Sequence, residues 1–203
     1  MRVTEETRER TRRRILRAAA RLFRRRGFEG ATTREVARAA GVGSGTLFNY
    51  YPSKEALALA LVARGLERGR RRFKEERRPE ASLAEDLFLL AVAALRELEP
   101  WRSLVAGTAA TAFSPAARGS GAADGERRRH LETVSGLLAE RGGGGATEGP
   151  ALHLWWALFL GVLAFWAEDP SPAQEDTLAL LDRATRMFAA STSTGYDGEV
   201  HHA

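Results

Sequence analysis

Thr32-Thr33-Arg34-Glu35-Val36-Ala37-Arg38-Ala39-Ala40-Gly41-Val42-Gly43-Ser44-Gly45-Thr46-Leu47-Phe48-Asn49-Tyr50-Tyr51-Pro52-Ser53-Lys54 is the stretch on which the fold turns. Thr32 followed three residues later by Glu35 is a capping box, in which each side chain satisfies an orphan backbone N–H at a helix start. A short helix follows, with Val36, Ala37 and Ala40 turned inward. Gly41-Val42-Gly43 is too rich in glycine to continue it. Ser44 can start a second short helix over 45–50, held inward by Leu47 and Tyr51. Pro52 breaks the chain, and Ser53 caps a long helix from Lys54. Two short helices joined by a tight glycine turn form a helix-turn-helix, whose second helix enters the DNA major groove. Its outward residues are Ser44, Gly45, Thr46, Asn49 and Tyr50. Small groups let the backbone approach the bases, and an Asn amide can pair bidentately with adenine.

Upstream, an amphipathic helix spans about 5–26, with Ile15, Ala19, Leu22 and Phe23 on one stripe and Gly27 as its stop. This helix and the stretch above resemble the DNA-binding domain of the TetR (tetracycline-repressor) family, through Leu22-Phe23, Arg26-Gly27-Phe28 and the run from Thr32 to Leu57. The resemblance covers about residues 8–60. It implies an all-α protein: an N-terminal three-helix DNA-binding domain over 1–53, then a helical effector-binding and dimerisation domain over 54–191, with a disordered tail over 192–203. It implies phosphate contacts from Thr33, Tyr50 and Lys54, and base contacts from Ser44, Thr46 and Asn49 beside Gly45. Phosphate contacts set affinity and register, and base contacts set sequence choice. The family commonly has Ser where Gly43 stands, Lys or Arg where Ser44 stands, and Tyr where Phe48 stands. That phenol normally reaches a phosphate. Phe48 cannot donate the bond, so the contact is either absent or supplied by Tyr50.

Charge agrees with a polyanion at one end. Residues 1–78 hold 22 Lys/Arg against 9 Asp/Glu, and the remainder has 9 against 17. A basic half of this kind suits nucleic acid, although a solvated Arg-rich helix face would look the same. The chain has 203 residues and no cysteine, which excludes disulfides, thiolate metal sites and cysteine nucleophiles. With no apolar N-terminal leader, a cytoplasmic location is expected. The four histidines, His130, His153, His201 and His202, have no metal-ligand spacing, and no nucleophile elbow or phosphate loop is present. Neither an enzyme nor a metal or cofactor site is expected. An architectural DNA binder would share the basic half and differ only in lacking a preferred site.

Beyond residue 54 the sequence gives helical periodicity only. The long helix from Lys54 contains Gly65 and Gly69, where a bend is expected. An amphipathic helix over 82–98, a short segment over 101–113, a loop over 114–125, a helix over 124–141 and a break at Gly142 to Gly145 follow. Residues 151–167 are apolar on every side, so that helix must be covered on several faces. At 17 residues and with His153 it sits at the short limit for a membrane span, and no membrane is expected. Ser171, Pro172 and Gln174 read as the start of the last helix, with a second capping box. The resemblance implies a homodimer through the last two helices, with Trp156, Leu163, Leu178, Leu181 and Phe188 as candidate interface residues. It also implies a small-molecule effector in the middle helices. Phe88, Trp101, Phe113, His130, Trp155 and Phe159 are the candidate lining, and an apolar or aromatic effector is favoured because few charges fall on inward faces.

Overall fold

The computed structural model describes residues 4–106, 121–141 and 149–193. It is all helical among these residues, as expected. Helix α1 (Glu5–Arg26) is capped by Thr4, whose hydroxyl accepts from the Thr7 amide at 3.3 Å. Glu5 and Glu6 lie in its first turn and Arg24, Arg25 and Arg26 in its last, each complementing the helix dipole. Ile15, Leu16, Ala18, Ala19 and Phe23 face the core.

Helix α2 (Thr33–Ala39) starts with the expected capping box between Thr32 and Glu35. Gly41 takes φ +63° in the turn, a backbone state glycine adopts without strain. Helix α3 (Ser44–Tyr50) follows, with Gly43 rather than Ser44 at its cap position, so Ser44 is already helical. Leu47 is fully buried and Tyr51 nearly so, and the pair fixes α3 to the rest of the head.

Helix α4 (Lys54–Glu76) is capped by Ser53, whose hydroxyl accepts from the Ala56 amide at 3.1 Å. It runs through Gly65 and Gly69 as one helix, and the expected bend is replaced by a close crossing. Helix α5 (Leu83–Leu98) lies against both glycines: a Cβ at Gly69 would meet Ala94 Cα at 2.7 Å, and one at Gly65 would meet Leu98 Cδ2 at 2.6 Å. Backbone atoms of α5 cannot yield as a side chain can. Gly69→Ala is therefore expected to destabilise by about 1–3 kcal/mol through overpacking, although alanine is the better helix former by about 1 kcal/mol. Gly136 has open space around it. Gly136→Ala should raise the melting temperature while Gly69→Ala lowers it, and calorimetry of the two reads the contrast directly.

A 3₁₀ turn (Glu99–Trp101) leads into a helical run at 102–106, here α6. Helices α7 (Gly121–Ala139), α8 (Gly149–Glu168) and α9 (Glu175–Ser193) complete the larger domain, with α4 and α5 packed on each other, α7 on α4, and α9 on α5 and α8. Helix α7 begins within the stretch read as a loop. Phe113, the residues of that loop before Gly121, the four-glycine run and the tail beyond Ser193 lie outside the described residues.

The start of α9 corrects another expectation. Gln174 does not close a capping box on Ser171. Its amide accepts from Trp166 Nε1 at 2.8 Å and donates to Glu99 at 3.0 Å. Ser171 does cap, its hydroxyl accepting from the Asp176 amide at 3.1 Å, and Asp169 shares the capping by taking the Ser171 amide at 2.8 Å and the Thr177 amide at 3.0 Å. Those hydrogen bonds hold its carboxyl well below the usual carboxylate range. At the opposite end of the connection, Arg102 Nε donates to the Trp166 carbonyl at 3.0 Å and its guanidinium lies over the Trp166 ring, giving a helix-end carbonyl that takes the Asp169 amide at 3.4 Å a second, shorter bond.

Candidate nucleic-acid interface

Helix α3 presents an uninterrupted outer face. Ser44, Gly45, Thr46, Phe48 and Asn49 are all exposed, and Tyr50 is half-buried. At 100° per residue, Gly45 and Asn49 form the centre of that face, Thr46 and Tyr50 one flank, and Ser44 and Phe48 the other. The Thr46 flank borders a cleft walled by α1, where Glu5, Arg8, Glu9 and Arg12 meet Thr46, Asn49 and Tyr50. Arg8 and Arg12 are exposed, one helical turn apart, and beside the residues expected to touch DNA. Sequence reading missed them as site residues. Their i, i+4 spacing was visible, but only the fold shows which of the many α1 arginines stand next to α3.

The expected phosphate contacts are placed unequally. Thr33 is half-buried in the first turn of α2. Lys54 is turned into the head: its ammonium donates to the Phe28 carbonyl at 3.0 Å, lies 4.2 Å from the Phe28 ring centroid and 3.6 Å from Glu29. Three short-range partners within the head already compete for its charge. Glu35, which completes the α2 cap, also pairs with Arg26. Its carboxyl is lowered first by the Thr32 backbone and then by the Thr32 hydroxyl.

The tetR family model of bacterial regulatory proteins matches residues 15–61, the segment from mid-α1 into α4. The HTH-type transcriptional regulator UidR of Escherichia coli (strain K12) is 38% identical over 65 residues, 32% of this chain and 33% of that one. The HTH-type regulator YvkB of Bacillus subtilis (strain 168) is 30% identical over 95 residues, 47% of this chain and 49% of that one. Among solved structures, Thermus thermophilus FadR, a TetR-family repressor in complex with lauroyl-CoA, superposes with TM-score 0.62 at 25% identity, over 87% of this chain and 92% of that one. Salmonella enterica GusR does so with TM-score 0.52 at 25% identity, over 93% and 98%. Residues 15–61 therefore form a head of the tetR type. The sequence match to UidR spans about a third of that relative's length.

The C-terminal half of the chain scatters the expected effector lining. Phe88 is half-buried in a shallow groove with Ser82, Ala84, Glu85, Asp182 and Arg186. Trp101 is buried toward α1, with the Arg24 guanidinium 5.7 Å from its ring centroid. His130, Trp155 and Phe159 do come together. Trp155 Nε1 donates to His130 Nε2 at 2.9 Å, and the His130 and Phe159 rings stack at 4.4 Å. Burial, aided by the Arg70 charge, pushes the His130 imidazole down to about 3, so it is neutral and free to accept that bond. All three are closed into the core. Inward faces also carry more charge than expected, since Arg70 and Glu126 form a buried ion pair between α4 and α7 and Asp86 is fully buried. Among the described residues no group of three or more His, Asp or Glu is placed to hold a metal ion.

The expected dimer residues need a correction. Trp156, Leu163, Leu181 and Phe188 are fully buried within the single chain, and only Leu178 is exposed. The faces turned outward carry Leu154 and Phe165 on α8 and Leu180 and Met187 on α9. A helix apolar on all sides has two coverable faces. The larger aromatics fill the chain's own core because they bury the most area there. Helix α8 is long and apolar enough to cross a membrane by length and composition, yet its Trp155, Trp156, Phe159 and Trp166 are spent on this core.

Proposed function

We propose that the protein is a transcriptional repressor that grips paired DNA half-sites as a homodimer and is released by a small-molecule effector. The observation that carries the reading is the outer face of α3, small and polar at Ser44, Gly45, Thr46 and Asn49, beside Arg8 and Arg12 across the cleft. Asn49 at its centre is the base reader, with Thr46 and Ser44 on either side. Arg8, Arg12, Tyr50 and Thr33 hold phosphates, and Lys54 braces the head from within. The names of the relatives support regulation over catalysis.

The second copy docks on the outer faces of α8 and α9. The effector has a substantial apolar part, a choice supported by the lauroyl-CoA in the Thermus thermophilus neighbour. To reach His130, Trp155 and Phe159 it must part α7 from α8, and a ligand that binds only this opened form shifts the population toward it. The Arg24–Trp101 contact joins the DNA-reading head to the larger domain and gives that shift a path to α1.

Selection from random duplexes, followed by competition against bulk DNA, tests the reading. A palindromic site is expected, and Asn49→Ala should lose about 10- to 100-fold in preference at one base pair per half-site. Lauroyl-CoA added to the labelled complex should lower its anisotropy. Equal affinity for every duplex would replace the repressor with an architectural binder.

A further inference from the structure

Phe48 is the anomaly of the reading helix. It is 46% exposed on a face whose other exposed members are Ser, Gly, Thr and Asn, and it is absent from the hydrophobic core. A phenyl ring held in water at that position gains nothing from the fold. The major groove offers it a single kind of apolar group. Its edges are hydrogen-bond donors and acceptors, with the thymine C5 methyl as the exception. The ring has no O–H or N–H to give a phosphate. It also stands one turn from Ser44 and next to Asn49, within the strip that faces the bases.

We propose that Phe48 is a specificity-determining residue that reads one thymine in each half-site by packing its ring against the base's C5 methyl. The inference rests on α3 entering the major groove. It makes the missing phenol a change in what is read rather than a lost contact. Ser44 and Phe48 then recognise the side of the site away from α1, while Thr46 and Asn49 recognise the side near it.

Single thymines of the selected site, replaced one at a time by deoxyuridine, provide the test, because only the methyl is lost. One position per half-site is expected to cost wild-type protein about fourfold in affinity, the value of one buried methyl. Phe48→Ala should bind the thymine and deoxyuridine versions of that position equally, while remaining sensitive to the base pair read by Asn49. The substituted side chain is exposed, so an unchanged melting temperature is expected and is measured alongside. Wild-type indifference to deoxyuridine at every position would overturn the proposal. So would a methyl penalty that survives in Phe48→Ala, or a uniform loss in that variant for both versions, which would mean a backbone contact. Failure to select any site would overturn the DNA reading itself, and this inference with it.

Discussion

Phe165→Glu is expected to leave the chain folded, convert the proposed homodimer to a monomer and weaken operator binding by about 100-fold or more. The outer strip of α8, Leu154, Ala157, Gly161, Ala164 and Phe165, contains no charge and is exposed. A Cβ at Gly161 would meet nothing within 4 Å, so a partner helix can come close there. Met187, 63% exposed, and Leu180 extend the same apolar character onto α9. Two copies related by a two-fold axis bring the same patch to both sides. A carboxylate at 165 would therefore be desolvated twice at one interface, with no cation on the α8 strip to pair it. The loss in DNA binding follows from geometry. A dimer binds its second half-site intramolecularly, and tethering of that kind multiplies affinity by about 10²–10⁴ without a new contact. Sedimentation equilibrium gives the mass and anisotropy the affinity. A variant that stays dimeric with unaltered binding would place the interface elsewhere.

The head was legible in the sequence because its signals are local. The Thr32–Glu35 box, the glycine turn and the Ser53 cap are satisfied by residues within three or four positions, and the α1 span matched for the same reason. The misses are relations between distant segments. Gly65 and Gly69 read as weak points in a helix, and only the position of α5 shows that they are contact points. Lys54 was expected only at a phosphate, and its partners within the chain, Phe28 and Glu29, lie some 25 residues away in sequence. Period 3.6 told that α8 must be covered on two sides without telling which side faces its own chain. Ser171 and Gln174 had the right spacing for a box, and Ser171 does cap the Asp176 amide. Trp166 and Glu99 take the Gln174 amide instead, and the backbone at Ala173 and Gln174 turns to positive φ.

Asp86→Ala is expected to cost about 3–5 kcal/mol, because it strands two guanidiniums that were paired with one buried carboxylate. Asp86 is fully buried in the first turn of α5. Both of its oxygens accept from Arg77 Nε at 3.1 Å, and Arg141 reaches it from just beyond the C-terminus of α7. Arg141 also donates to the carbonyls of Ala81 at 2.7 Å and Leu137 at 2.9 Å, and Arg77 pairs with Glu140. One side chain thereby ties the end of α4, the start of α5 and the end of α7. The loss is a large share of the about 5–15 kcal/mol that holds a typical domain, and for a chain of this size it lowers the melting temperature by about 6–20 °C. Acid should loosen the same knot. Arg77 holds the Glu140 carboxyl below its ordinary value, so its contribution is complete above about pH 4.5 and fades as the pH falls through the lowered value. Asp86 lies in the larger domain, away from the DNA-facing surface of α3. At low temperature, where Asp86→Ala remains folded, its operator affinity should match wild type, and a drop in melting temperature under 2 °C would mean that the guanidiniums find water or other partners instead.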